Sequence, residues 1–141
     1  MNPEVLILIV GLIICAVSIT TANEDAESGV IVDVGWPDSD VQGSAMLVPW
    51  VVVENTGIPG GFYIQFSIQD PNDKWYYGAC WPTGVLNHGE EKVVWPSSVQ
   101  VTASMPKGAY NAKVELFADA DYCTMDALDT VTKNYAFRLS S

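Results

Sequence analysis

Two kinds of hydrophobic pattern divide the chain. From Val5 to Ala22 the residues are almost all apolar and none is charged, and the acidic stretch Asn23-Glu24-Asp25-Ala26-Glu27 follows at once. A helix over that run would be ~27 Å long, close to the ~30 Å hydrocarbon core of a bilayer. Beyond it, apolar and polar residues alternate in short stretches separated by Gly, Pro, Asn and Asp, which is strand periodicity with turn punctuation. Phe62 to Gln69 is the clearest, with Phe62, Ile64, Phe66 and Ile68 against Tyr63, Gln65, Ser67 and Gln69. One face is core and the other is wet.

The same reasoning predicts about seven strands, lettered A, B, C, C′, E, F and G. Strand A is Val30 to Trp36, with Val30, Val32, Val34 and Trp36 on one side, and strand B is Met46 to Glu54, apolar enough to be central. Strand C is Phe62 to Gln69. The turn Asp70-Pro71-Asn72-Asp73 returns it as C′, Lys74 to Cys80. Strand E is Lys92 to Val101, with Pro96 as a break point, and strand F is Tyr110 to Phe117. Strand G is Val131 to Leu139, with Val131, Lys133, Tyr135, Phe137 and Leu139 in phase. This spacing is that of an all-β, Greek-key β-sandwich of the immunoglobulin-like kind. The expected organisation is an N-terminal hydrophobic helix over 1–22, a linker over 23–28 and one sandwich over 29–141.

The apolar run makes the chain an exported one, and it has two expected fates. Thr20-Thr21-Ala22 offers small residues for cleavage after Ala22, whereas Met1-Asn2-Pro3-Glu4 lacks the Lys or Arg that starts a signal peptide. Retention as a transmembrane signal-anchor is the favoured reading, with the rest of the chain on the outer side of the envelope. A lipid-attachment site is disfavoured by the bulky Ile14 before Cys15, which reads as a small apolar residue of the helix.

Charge narrows the partners. There are 17 acids against 6 bases, every base lies between Lys74 and Arg138, and the net charge is −11. Nucleic acid is excluded as a partner by this balance. With Cys15 in the membrane, Cys80 and Cys123 form an even pair in an oxidising compartment. In the sandwich topology C′ runs back along C while F pairs antiparallel with C, so both cysteines reach the same end and are expected to form a disulfide. No C-x-x-C, Cys/His zinc spacing or Asn-x-Ser/Thr sequon occurs, and neither cofactor nor metal is expected.

At Glu54-Asn55-Thr56-Gly57, His88-Gly89-Glu90 and Met105-Pro106-Lys107-Gly108-Ala109-Tyr110 the chain resembles the immunoglobulin-like, fibronectin-type-III-like modules of prokaryotic cell-surface proteins, notably the CARDB-type adhesion modules. In those modules Asn-Thr-Gly follows strand B, Gly-Glu precedes strand E and Pro-x-Gly-x-Tyr opens strand F. The resemblance runs roughly from Gly29 to Leu139. It implies a non-enzymatic surface module and hands over no catalytic or ligand residues.

Catalysis finds no constellation in the residues. His88, the single histidine, sits among the turn residues Leu86-Asn87-His88-Gly89 and reads as exposed punctuation. Asp119, Asp121, Asp126 and Asp129 lack the calcium-loop pattern, with Cys123 where a ligand should stand, and read as a solvated acidic F to G loop. Aromatic residues offer more. Tyr63 on the outward face of C is expected near Trp75 and Tyr77, or near Tyr76, on C′, as a platform for a sugar ring or a protein partner. The competing reading places Trp36, Trp50 and Trp95 in the core and has the C′ aromatics cover a neighbouring strand. The loops Asn55 to Gly61, Trp81 to Gly89 and Asp119 to Asp129 are expected at one end. Trp81 and Tyr122 would be apolar anchors there, and Asp119 and Asp121 an acidic rim.

The functional expectation is therefore a non-enzymatic cell-envelope module that binds or assembles through its sandwich, in contact with the membrane through the N-terminal helix. Its ligand would be a protein or a glycan, and a homo-oligomer is open to it. One alternative is a filament subunit resembling type IV pilins, with Glu4 ahead of the apolar run. The other is a cleaved, secreted carbohydrate-binding module.

Overall fold

The computed structural model describes residues 26–37, 40–119, 122–124 and 126–141. The expected helix over 1–22 and most of the linker lie outside them, and among the described residues no helix is long and apolar enough to cross a membrane. The described residues form eleven strands: β1 Gly29–Gly35, β2 Val41–Gln42, β3 Ala45–Leu47, β4 Trp50–Asn55, β5 Gly60–Gln69, β6 Trp75–Tyr77, β7 Trp81–Leu86, β8 Glu91–Val94, β9 Val99–Val101, β10 Gly108–Ala118 and β11 Asp129–Ser140. β3 and β9 form a separate, two-stranded sheet, and the two main sheets have the orders β1-β4-β8 and β2-β11-β10-β5-β6, with β7 also on β5. In strand letters these are A-B-E and G-F-C-C′, the two layers of an immunoglobulin-like sandwich.

Alternation fixes which faces meet. Phe62, Ile64, Phe66 and Ile68 of β5 lie in the core with Tyr110, Ala112, Val114 and Leu116 of β10. Ala112 stands opposite Ile68 and Leu116 opposite Ile64 in the antiparallel ladder. Val51 and Val53 close the core from β4.

Departures from the expected strands have local causes. Strand B is two pieces, β3 and β4, and strand E is two pieces, β8 and β9, with β3 on β9 and β4 on β8. Pro49 interrupts one strand and Pro96 the other, and neither has an N–H to give to a ladder. Strand A was expected to bury Val30 and Val32, yet Ile31 is buried and those two are exposed. A bulge between Ile31 and Asp33 shifts the phase, so that only Val34 and Trp36 reach the core. At this irregularity the Ile31 N–H donates to Asp129 Oδ2 at 2.8 Å, so Asp129 pins β11 to β1 rather than standing in a solvated loop.

Two polar anchors hold the end where C turns into C′. Tyr110 is wholly buried, stacks on Phe137 with ring centroids 4.9 Å apart, and donates to Pro106 O at 2.7 Å. This is the tyrosine corner of the sandwich class. Burial, with Tyr76 and Asp70 nearby, pushes its hydroxyl up to about 12. Asp70 Oδ1 accepts the N–H groups of Asn72 at 2.8 Å and Lys74 at 3.0 Å, and Oδ2 accepts Tyr76 O–H at 2.9 Å. Burial alone would raise the Asp70 carboxyl, but these donors outweigh it and hold it below its ordinary value.

The predicted disulfide joins Cys80 to Cys123, with Cα atoms 6.0 Å apart. It closes a loop of 43 residues in separation, for which chain entropy gives ~4 kcal/mol. Replacing both cysteines by Ser is expected to lower unfolding free energy by about that amount, read by chemical denaturation against the oxidised chain. Asp70 makes an acid-side prediction. A depressed carboxyl contributes its stability above the unfolded value of ~3.9 and loses it as pH falls through the lower folded value. Asp70→Asn is expected to cost about 1–3 kcal/mol at pH 7 and to flatten the loss of stability below pH 4.

Candidate functional site

The B to C turn, the turn that follows Leu86 and the start of the F to G segment gather at one end. Asn55, at the end of β4, is wholly buried, and its Nδ2 donates to Ile58 O and to Leu86 O, both at 2.9 Å. Its Oδ1 accepts Gly57 N–H at 2.8 Å. His88 is exposed, with Nδ1 at 2.8 Å from Gly57 O, which ties the turn before β8 to the B to C turn. Across the same end the disulfide joins the start of β7 to the segment after β10, and the Tyr122 ring meets Tyr63 edge-on with centroids 4.9 Å apart.

The sequence reading of Trp81 to Gly89 as a loop needs correction. Trp81–Leu86 is β7, an edge strand that pairs with β5, with Trp81 opposite Ile64 and Pro82 opposite Tyr63. Pro82 and Gly84 mask the strand in sequence, and an edge position tolerates both. Trp81 and Tyr122 are exposed, as is Asp119, whose N–H is held by Glu27 Oε1 at 3.0 Å. Asp121 lies outside the described residues. Tyr122 and Cys123 both have positive φ, at 43° and 59°, and the bridge and the Tyr63 ring fix them there.

The expected meeting of Tyr63 with Trp75 and Tyr77 does not occur. Hairpin register sets Tyr77 opposite Ser67 and Trp75 opposite Gln69, several residues along β5 from Tyr63. Lys113 of β10 covers the C′ aromatics instead, with Nζ 4.2 Å from the Trp75 ring centroid and 5.4 Å from that of Tyr77. Glu115 Oε1 lies 3.3 Å from the same Nζ. Beside this cap Ser67 Oγ is buried with no hydrogen-bond partner among the described residues. Lys113 thus caps the half-buried Trp75 ring, while Tyr77 stays 58% exposed at the edge of the sheet.

Nor do the tryptophans expected in the core all reach it. Trp36 packs against the core, but Trp50 is 39% exposed and Trp95 is 60% exposed. Trp50 points away from Val51, so it stands on the outer face of β4, with its indole across Gly35, where a Cβ would come within 1.9 Å of the ring. Val93 of β8 lies opposite Val52 on this same face. The outer face of β1-β4-β8 thus carries an apolar cluster bordered by Glu54 and Glu91, a feature hidden in sequence because strand B is apolar on both faces.

Strand G supplied a second hidden feature. Its phase was expected to bury Tyr135, but the ladder slips between Tyr110 opposite Phe137 and Ala112 opposite Lys133. Tyr135 is expelled to 79% exposure with φ 55°. The expelled residues border a cavity of about 390 Å³ lined by Asp70, Pro71, Asp73, Asn111, Asn134 and Tyr135, among others. It lies at the end away from the disulfide.

No family profile matches the chain, and no curated protein matches it either. Among solved structures, the CARDB domain of the PF1109 protein from Pyrococcus furiosus, in complex with di-metal ions, is similar at 18% identity. The match covers 79% of this chain and 87% of that one, with a TM-score of 0.47. A β-glucosidase from Paenibacillus barengoltzii is similar at 17% identity over 83% of this chain, with a TM-score of 0.52, and the chain spans only 14% of that enzyme. The Pseudomonas fluorescens alkylpurine DNA glycosylase AlkC is similar at 11% identity over 86% of this chain and 33% of that one, with a TM-score of 0.49. At these identities the likeness is one of fold.

Proposed function

We propose that the chain is a non-enzymatic surface module that works by binding, held to the membrane at the end where its loops gather and displaying the other end. The observation that carries this reading is where the chain joins the sandwich. Ser28 O accepts Thr56 N–H at 3.0 Å and Ala26 O accepts Ile58 N–H at 3.1 Å, so the N-terminal stretch runs beside the B to C turn. Gly57 leaves no room there for a side chain, since a Cβ would come within 1.9 Å of Ala26 O. Ala22, the last residue of the apolar run, precedes Ala26 by four residues. At full extension that is ~15 Å at most. A membrane holding the run therefore faces the B to C and F to G end. Trp81 and Tyr122, with Asp119 as acidic rim, then form a membrane-near surface suited to a neighbouring envelope protein, and the Asp70 turn and Tyr135 point outward.

Cysteine labelling of the full chain in intact cells tests the orientation. Asn72→Cys should react quickly with a membrane-impermeant maleimide. Val85→Cys, 76% exposed in the sandwich itself, should react several-fold more slowly on the cell than after detergent extraction. Deleting residues 1–22 should move the chain to the soluble fraction. Equal labelling at both positions, or membrane retention without the run, would overturn the reading.

A second reading, assembly, is favoured by the apolar cluster on the outer face of β1-β4-β8. On this face Val30, Val32, Trp50, Val93 and Trp95 are exposed, with Glu54 and Glu91 paired at one end of the strands, so a second copy covering the apolar part would remove it from water while leaving the carboxylates at the rim. Sedimentation is expected to show a concentration-dependent dimer that Val93→Glu disperses, and a monomer at high concentration would remove this reading.

A further inference from the structure

We propose that the cavity beside Tyr135 is a binding site for a neutral saccharide, with the Tyr135 ring as its stacking wall. The site rests on the reading of the chain as a binding module, but not on its tether or its orientation.

The walls are built in advance of any ligand. Tyr135 N–H donates to Asn111 Oδ1 at 3.0 Å, Asn111 Nδ2 donates to Gln69 Oε1 at 3.1 Å, and Gln69 Nε2 donates to Asp73 O at 3.3 Å. This chain of side-chain amides runs from the strand G bulge to the C to C′ turn and joins the two sides of the cavity. Each end of it carries a non-glycine residue in the left-handed region, Tyr135 with φ 55° and Asp73 with φ 69°. The turn is fixed from below by the three donors on Asp70. β10 also presses close against it, since a Cβ on Gly108 would lie 3.0 Å from Pro71 Cγ.

What these walls leave unused defines the ligand. The Asp73 carboxylate, the Asn134 amide and the Tyr135 hydroxyl hold no hydrogen bond among the described residues. A carboxylate and an amide each offer two polar atoms in a plane, which suits neighbouring hydroxyls on a ring. An exposed tyrosine face suits the apolar C–H face of the same ring. The volume of about 390 Å³ falls within the ~300–1,000 Å³ of small-molecule sites. An anion is opposed by the two aspartates and by the net charge of −11. A bare divalent cation is poorly served as well, because Asp70 is already occupied by three donors and Asp73 alone keeps a free carboxylate.

Full chain purified in a non-glycosidic detergent, applied to an array of neutral mono- and oligosaccharides, provides the test, with calorimetric titration of the best binder. At least one saccharide should bind, Tyr135→Ala should weaken it about tenfold or more, and Tyr135→Phe should stay within about threefold. Asn134→Ala should weaken it by a factor of about three to ten. Tyr135→Gly should raise the melting temperature, because glycine relieves the left-handed backbone, while abolishing binding. A merely structural tyrosine would not separate stability from binding in this way. The proposal is overturned if no neutral saccharide binds, if binding survives Tyr135→Ala, or if a polycation such as spermidine is preferred to every saccharide. Because the array uses detergent-solubilised chain, a failed orientation on the cell would leave this result unaffected.

Discussion

The buried amide of Asn55 is the constraint on which the sandwich closes. One side chain accepts from Gly57 and donates to Ile58 and Leu86, while its backbone N–H donates to Glu90 O at 3.1 Å and its carbonyl accepts from Gly89 N–H. Those partners belong to two connections, β4 to β5 and β7 to β8, and each carries the chain from one sheet to the other. No water reaches the amide, so losing any partner would expose an unmet polar group in the core, which costs more than a surface bond returns. Asn rather than Asp is required, because donors and acceptors are both needed. The spacing of the two sheets at this end is therefore set by hydrogen-bond geometry as much as by the apolar residues between them.

At the other end Tyr110 has the equivalent duty, with a different chemistry. Its ring is stacked on Phe137 in the core and its hydroxyl reaches back to Pro106 O, fixing the connection from β9 to β10. Asp70 and Tyr76 lie close enough to raise its hydroxyl further. The core is thus bracketed by one amide and one phenol, and the alternating apolar residues of β5 and β10 fill the space between.

What could be read in the sequence follows from this division. Strands C and F alternate and lie centrally in their sheet, so the pattern predicted their faces, while their mutual direction and the Cys80 to Cys123 bridge followed from the expected sandwich topology. Edge and bulged strands were less legible, because their periodicity is broken by features with no sequence signal of their own. The bulge at Val32 moved burial from Val30 and Val32 to Ile31, and the slip near Asn111 expelled Tyr135. Pro82 and Gly84 disguised β7 as a loop. Contacts between strands were the hardest, since the partner of Tyr63 depends on hairpin register, and Tyr122 reached it from the F to G loop.

Strain separates the two ends by how it is held. Among the described residues four non-glycine residues have positive φ: Asp73 and Tyr135 beside the cavity, and Tyr122 and Cys123 beside the disulfide. Each such residue costs on the order of 1–3 kcal/mol and persists only where its surroundings over-determine it. At the disulfide end a covalent bond and an aromatic contact provide that restraint, so the conformation is fixed whether or not a partner is present. At the cavity end only hydrogen bonds provide it, running through Asn111 and Gln69. A ligand bridging Asp73 and Tyr135 would add to the restraint that already holds them, so its binding and the local backbone would stabilise each other. The end fixed covalently is also the end where the N-terminal segment joins, which leaves the other as the one whose stability a partner can change.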